Sequence, residues 1–248
     1  MKLSIIIPTF NEERTIIQVL ERLQSVAFPI EYELIVVDDH STDGTFAIEQ
    51  AVGRHHRSAG AGSAGPSRIV VLRNRVNQGK GASIRLGLKH ATGDAVVVQD
   101  ADLEYHPREL LKLLPPLLEG PPNVAVIGSR FRGRRWPRGM GPASFAANHV
   151  LTWLTNALYG LRLSDMECCY KIVPTQMLRR ARLRACRFEI EPELVAKLAR
   201  AGVRFVERPI LYDGRSYAEG KKIRAKDFFL AVWALIRWRV SPLPKSLR

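Results

Sequence analysis

The run Val96-Val97-Val98 passes through Gln99 straight into Asp100-Ala101-Asp102-Leu103-Glu104. Consecutive β-branched residues suit a buried strand. In an α/β sheet such a strand hands its next residues to the carboxyl edge, where ligands bind. Three carboxylates crowded there repel one another unless a cation compensates them, and an all-oxygen donor set suits Mg²⁺ or Mn²⁺. An ion held by two or three protein oxygens keeps positions for substrate phosphates. Acid-x-acid spacing alone is a weak signal, since it also occurs in solvated loops. The weight comes from a second cluster of the same design: Leu34-Ile35-Val36-Val37 runs into Asp38-Asp39-His40-Ser41-Thr42-Asp43-Gly44-Thr45. Two strands that both end in acids imply one acidic pocket at a sheet edge.

The elements that must position this pocket alternate through the first 130 residues. Strands are predicted at Leu3 to Ile7, Glu33 to Val37, Ile69 to Leu72, Val96 to Gln99 and Val124 to Gly128. Helices are predicted between them, with Asn11 capping the first and Glu12 and Glu13 in its positive first turn. Lys80 to His90 and Pro107 to Leu118 read as further helices, and Arg57 to Ser67 as a Gly/Ala/Ser-rich loop. The alternation implies a mainly parallel α/β sheet. Beyond Arg130 come a basic loop around Trp136, helices over Ser144 to Tyr159 and Pro192 to Ala201, and a strand over Val203 to Ile210.

A chain of 248 residues buries a sizeable core. No apolar run is long enough to span a bilayer, and the polar Asn11-Glu12-Glu13 after Pro8 marks a first strand rather than a signal peptide. Cys168, Cys169 and Cys186 have no metal-ligand spacing and fit reduced thiols of a cytoplasmic protein. The 38 Lys and Arg against 24 Asp and Glu give a net charge of +14, which points to anionic partners. Nucleic acid is the least favoured of these, because no nucleic-acid-binding motif is present. The tail holds the apolar stretch 228 to 236, with Lys221, Lys222, Arg224 and Lys226 before it and Arg237 and Arg239 after it. A basic helix bearing Trp and Phe fits a membrane interface. A helix docked on the domain, or on a second subunit, fits the pattern equally.

Six segments in order resemble the family 2 glycosyltransferases of GT-A fold, and within them the polyprenyl-phosphate (dolichyl-phosphate mannose synthase-like) branch. They are Ile7-Pro8-Thr9-Phe10-Asn11-Glu12, Val37 to Thr45, Asn77-Gln78-Gly79-Lys80-Gly81, Asp100 to Glu104, Gly128-Ser129-Arg130, and Gly214 to Lys222. The resemblance spans about Leu3 to Lys226. It implies a catalytic unit over residues 1–213, followed by a basic active-site loop and a C-terminal interfacial helix over 214–248. It places Pro8, Phe10, Glu12, Val37 and Asp39 around the nucleotide. Asp100, Ala101 and Asp102 fall at the metal and diphosphate, with Glu104 as a third metal-proximal group. Arg130 matches an arginine beside the phosphates, and Arg215 and Lys221 match a basic loop that closes over donor and acceptor. Asp102, Arg130, Arg215 and Lys221 are then the catalytic set. The departure at Leu163 to Lys171 resembles a bacterial and archaeal subgroup, which leaves the sugar and acceptor open.

The activity so implied is metal-dependent, inverting transfer of a sugar from a nucleoside-diphosphate sugar, such as GDP-mannose or a UDP-sugar, to a polyprenyl or dolichyl phosphate. The protein would be cytoplasmic and peripherally bound to the inner face of the membrane, with room for a homo-oligomer. A hydroxyl acceptor on a saccharide or protein would instead need a base, for which Asp165 and Glu167 are the candidates. A non-enzymatic nucleotide- or nucleic-acid-binding protein is the remaining alternative.

Overall fold

The β-branched runs pair with one another because only a sheet satisfies their backbone while burying both faces. A computed structural model describes residues 1–59, 65–121, 123–133, 136–214 and 225–247. In chain order the elements are β1 (Lys2–Thr9), α1 (Ile16–Gln24), β2 (Glu31–Asp38), α2 (Thr45–Ala59), β3 (Ile69–Arg73), α3 (Lys80–His90) and β4 (Ala95–Val98). A 3₁₀ helix (Pro107–Lys112), α4 (Leu114–Leu118), β5 (Val124–Ser129) and α5 (Pro142–Tyr159) follow. The chain ends with β6 (Lys171–Pro174), α6 (Thr175–Ala181), α7 (Ile190–Arg200), β7 (Arg204–Pro209) and α8 (Ala225–Val240).

The strands form one seven-stranded sheet in the order β3-β2-β1-β4-β6-β5-β7. Pairings are parallel except those of β6, which runs antiparallel to both neighbours. The carboxyl ends of β1 to β5 and β7 therefore share one edge. Successive residues of β1 face opposite layers: Leu3, Ile5 and Ile7 join the core with α1, whereas Ile6 joins that of α3. A Cβ on Gly87 would sit 2.7 Å from Ile6 Cγ2, so the glycine permits the close approach of α3 to β1. α7 is buried from Ile190 to Leu198, with Val195 in the first of these cores and Ile190, Leu194 and Leu198 in the second.

Three expectations are corrected. Asn11 does not cap α1, which starts at Ile16; Asn11 has φ 53° and accepts instead from Thr42 N at 2.9 Å. Glu12 and Glu13 accordingly precede the helix rather than fill its first turn. The segment Pro107 to Leu118 breaks at Leu113, where Pro115 and Pro116 supply no N–H to a continuing helix. The short antiparallel β6 and α6 were not foreseen.

α8 packs on α5 and α7, so the docked alternative for the tail holds for its inner side. Ala231, Ala234, Leu235 and Trp238 are buried, and Tyr159 Oη donates to the Leu235 carbonyl at 2.5 Å.

Glu49 on α2 is fully buried, and neither carboxylate oxygen has a hydrogen-bond partner among the described residues. Burial, aided by the nearby Asp38 charge, pushes its pKa up to about 8. Between 4.5 and about 8 the folded protein keeps a proton that the unfolded chain has released, so this group's contribution to stability falls as pH rises. Glu49→Gln should thus melt higher than wild type by roughly 5 °C at pH 8 and converge with it near pH 5. Melting curves across that range check this; a pH-independent difference would contradict it.

Candidate active site

The chain leaves β1 toward β2 and β3 on one side, whereas β4 lies on the other. That reversal opens a crevice outside the carboxyl ends of β1 and β4, the usual place for a ligand in such sheets. The register deepens it. β4 ends at Val98, level with Ile6, while β1 continues to Thr9 beside Asp38. The segment from Gln99 therefore departs next to a projecting strand end. Asn11, His40 and Leu103 follow β1, β2 and β4 and have φ of 53°, 64° and 65°. Left-handed backbone is costly for such residues, Leu above all, and clusters where a site demands it.

Asp39 is almost wholly buried and organises the loop before α3. Its carboxylate accepts from Asn74 Nδ2 at 2.7 Å, Gln78 N at 2.9 Å and Gly79 N at 2.6 Å. Gly79 has φ 96°, and a Cβ there would lie 2.6 Å from the Cys186 carbonyl oxygen. Asp38 accepts from Ser41 N and pairs with Arg73 Nε at 2.9 Å. Glu12 donates its N–H to Thr45 Oγ1 at 2.8 Å, tying the β1 loop to the β2 loop. Pro8 and Phe10 are half-buried at the end of β1. Val37 and Ala101 are buried in the core, so any contact of theirs with a nucleotide falls to the backbone.

The three carboxylates after β4 each meet a different neighbour. Asp100 meets Lys80 Nζ, at 2.7 Å from Oδ1 and 3.0 Å from Oδ2. Asp102 Oδ1 accepts the Glu104 N–H at 3.0 Å. Glu104 Oε2 accepts from Tyr212 Oη at 2.8 Å, and its carbonyl from Asp213 N at 3.0 Å, so it joins the β4 loop to the segment after β7. No group of three acidic, His or Cys side chains among the described residues forms a ready metal cage. The donors are still carboxylates at a strand end, and a hard divalent ion held by one or two of them fits when substrate phosphates complete its shell.

The segment Asn77 to Gly81 does not by itself reveal what Lys80 meets. Burial works against its charge, but Asp100, Cys169 and Glu191 outweigh that and hold its pKa well above the ordinary lysine value. Glu191 Oε1 lies 3.8 Å from Lys80 Nζ, and Glu191 Oε2 lies 2.6 Å from Lys171 Nζ. Alternating charges thus run from the crevice into the start of α7. A flanking Gly79-Lys80-Gly81 was the available signal: glycines on both sides let the backbone fit closely while the lysine reaches inward.

Arg130, at the end of β5, is buried. Its Nε and Nη2 each lie 2.7 Å from an Asp165 oxygen, and Nη2 also donates to Asn148 Oδ1 at 2.7 Å. Burial opposes the guanidinium charge, and Asp165 overrides it. This bidentate pair engages both carboxylate oxygens of Asp165. Glu167 differs. Its Oε1 is buried without a partner among the described residues, and burial pushes its pKa up to about 7. Arg130 lies over the Phe131 ring at 5.5 Å; Phe131 meets Phe145 and His149, and Trp136 stacks on Phe145 with ring centres 4.1 Å apart. Arg215 and Lys221 lie outside the described residues.

The profile of glycosyl transferase family 2 matches residues 4–183. The dolichol-phosphate mannosyltransferase of Pyrococcus furiosus is 31% identical over 141 residues, covering 55% of this chain and 36% of that protein. An undecaprenyl-phosphate 4-deoxy-4-formamido-L-arabinose transferase of Proteus mirabilis is 33% identical over 170 residues, covering 67% and 47%. The chain therefore matches less than half the length of either. Among solved structures, glucosyl-3-phosphoglycerate synthase of Mycobacterium tuberculosis with UDP superposes with a TM-score of 0.70 at 21% identity, covering 97% of this chain and 81% of that one. The same synthase with Mn²⁺, UDP-glucose and phosphoglyceric acid gives 0.69 at 22% identity, covering 97% and 80%. These structures share the fold.

Asp39→Ala would strip acceptors from three donors of the loop before α3. At about 1 kcal/mol for each hydrogen bond, the expected loss is roughly 2–4 kcal/mol. Urea unfolding reads that loss, and hydrogen exchange at the Gln78 and Gly79 amides should accelerate at least tenfold. Unchanged exchange would show that Asp39 does not hold the loop.

Proposed function

Because this chain belongs to glycosyl transferase family 2, we propose that it moves a sugar from a nucleoside-diphosphate sugar to a polyprenyl phosphate, with inversion at the anomeric carbon. The observation that carries the reading is the crevice at the β1–β4 reversal, where Asp100 and Asp102 leave the sheet beside the Asp39-held loop. The names of two matched relatives supply the acceptor class. Residues 1–213 would form the catalytic unit, and 214–248 a basic closing loop and interfacial helix.

Asp102, with Asp100 and Glu104 nearby, would hold Mg²⁺ or Mn²⁺ together with the donor diphosphate, and the ion would supply positive charge to the leaving group. Pro8, Phe10 and Glu12 on one side and Val37 and Asp39 on the other would frame the nucleotide. Arg130 brings a fixed cation that needs no reorganisation, since Asp165 and Asn148 already orient it. Arg215 and Lys221 would close over the phosphates. A phosphate monoester with a second pKa of about 6 is anionic near neutral pH and attacks without a base. Its lipid tail would keep the protein at a membrane surface, here the cytoplasmic face. No helix among the described residues is long and apolar enough to cross a membrane.

A second reading, transfer to a hydroxyl, is favoured by Glu167, whose pKa near 7 suits a general base. Glu167→Gln should abolish transfer to a hydroxyl acceptor and spare transfer to a phosphate.

A thermal-shift panel of nucleoside diphosphates with and without Mn²⁺ tests the donor site. A ligand at 100 times its Kd adds about 2.7 kcal/mol, equivalent to a rise of roughly 5–10 °C for a chain of this size. The metal-dependent part of that rise should vanish in Asp102→Asn. A shift of equal size without Mn²⁺, or one retained in the variant, would overturn the metal assignment.

A further inference from the structure

The residues after β7 tie its end to neighbouring segments. Ile210 N donates to the Ser129 carbonyl at 3.0 Å, Asp213 N to the Glu104 carbonyl at 3.0 Å and Gly214 N to the Arg138 carbonyl at 3.0 Å. Leu211 N donates to Glu109 Oε2 at 2.7 Å. Tyr212, in their middle, uses its side chain: Oη donates to Glu104 Oε2 at 2.8 Å. Leu211 is 53% exposed, whereas Tyr212 is 9% exposed and belongs to the main core. Tyr212 falls in none of the segments that carry the family resemblance, which resume at Gly214, so no motif gives it a role.

Its ring has charged and aromatic neighbours. The Arg130 guanidinium lies 5.3 Å from the ring centre, within the range in which a cation is attracted to a π face. The Tyr105 ring is 5.2 Å away and itself lies 5.0 Å from Tyr170. Tyr170 Oη donates to Gln99 Oε1, and Gln99 Nε2 donates to the Asp100 carbonyl at 2.9 Å. One side chain thus meets a carboxylate of the β4 loop through its hydroxyl and the buried cation at the end of β5 through its ring. A phenylalanine would fill the same core space. The hydroxyl adds a directed donor to a carboxylate, which fixes where that oxygen sits.

We propose that Tyr212 is a positioning residue: its hydroxyl holds Glu104 and its ring holds Arg130, so one side chain sets the spacing between the acidic and the cationic sides of the crevice. This rests on the donor-site reading, in which Glu104 lies near the ion and Arg130 beside the phosphates. The two contacts are separable. Tyr212→Phe removes the first and keeps the second, and Tyr212→Leu removes both.

The full chain is titrated calorimetrically with UDP and with GDP, in saturating Mn²⁺ and in EDTA, after melting curves establish that each variant is folded at the assay temperature. The ratio of the two dissociation constants reads the metal-dependent gain, and the value in EDTA reads what the fixed cations contribute. Removing a partner that orients a metal-proximal group costs about tenfold in metal affinity, so Tyr212→Phe should reduce the gain by about that factor and leave binding in EDTA unchanged. In a Glu104→Gln background the same substitution should change the gain less than about twofold, because its effect passes through Glu104. Tyr212→Leu should match Tyr212→Phe in the gain and also bind about threefold more weakly in EDTA, through the loosened guanidinium. A space-filling role alone would give Tyr212→Phe a wild-type gain, and that result would overturn the proposal. An effect of Tyr212→Phe that persists in full beside Glu104→Gln would overturn it as well, as would equal binding of the Phe and Leu variants in EDTA. Wild-type protein that binds neither nucleotide with Mn²⁺ would overturn the donor-site reading and the role of Tyr212 together. Normal wild-type binding that Tyr212→Phe leaves intact would overturn the role of Tyr212 alone.

Discussion

Carboxylates delivered to one sheet edge must be compensated, and the active side of this molecule is arranged around that requirement. A parallel sheet places the ends of β1, β2 and β4 together, and Asp38, Asp39, Asp100, Asp102 and Glu104 arrive with them. Arg73 answers Asp38, backbone N–H groups answer Asp39, Lys80 answers Asp100, and Tyr212 donates to Glu104. Beside the acidic crevice the sign reverses: Arg130 is the buried cation, Asp165 is its partner, and the guanidinium lies over the ring of Tyr212, which donates to Glu104. Unpaired buried charges would be strongly destabilising, so each pairing is a condition of the fold as well as of the site.

These pairings also join segments far apart in the chain. Lys80 and Glu191 carry the network from the crevice into α7, which is buried against both core layers and supports α8. Glu104 and Asp213 hold the loop after β4 to the segment after β7, and Arg138 bridges to Asp213. Glu207 of β7 accepts from Ser164 and Asp165 N–H groups and fixes the loop that presents Asp165 to Arg130.

The parts legible in the sequence were those set by local pattern. Leu34 to Val37 and Val96 to Val98 are β-branched or apolar runs ended by acids, and they became strands that open onto the crevice. α3 matched its expected limits because Gly79 opens it and no proline interrupts it. β6 escaped because four residues beginning with Lys171 show no strand periodicity; its place comes from pairing with β4 and β5. The partners of Asp100 and Glu104 were equally hidden. They are Lys80, 20 residues away, and Tyr212, 108 residues away, and no spacing rule within one motif reports such partners. In sequence Asp165 is only a candidate base, because its guanidinium partner arrives from the end of a strand 35 residues earlier.

The most direct test of the account is the fate of the sugar. The protein is incubated with Mn²⁺, a polyprenyl phosphate in detergent and a panel of nucleoside-diphosphate sugars labelled in the sugar, and the mixture is partitioned between water and organic solvent. The account predicts label in the organic phase as a phosphodiester-linked sugar, with the anomeric configuration opposite to that of the donor. Label that stays in water, as free sugar or as a glycosylated saccharide, while the donor is consumed would contradict it.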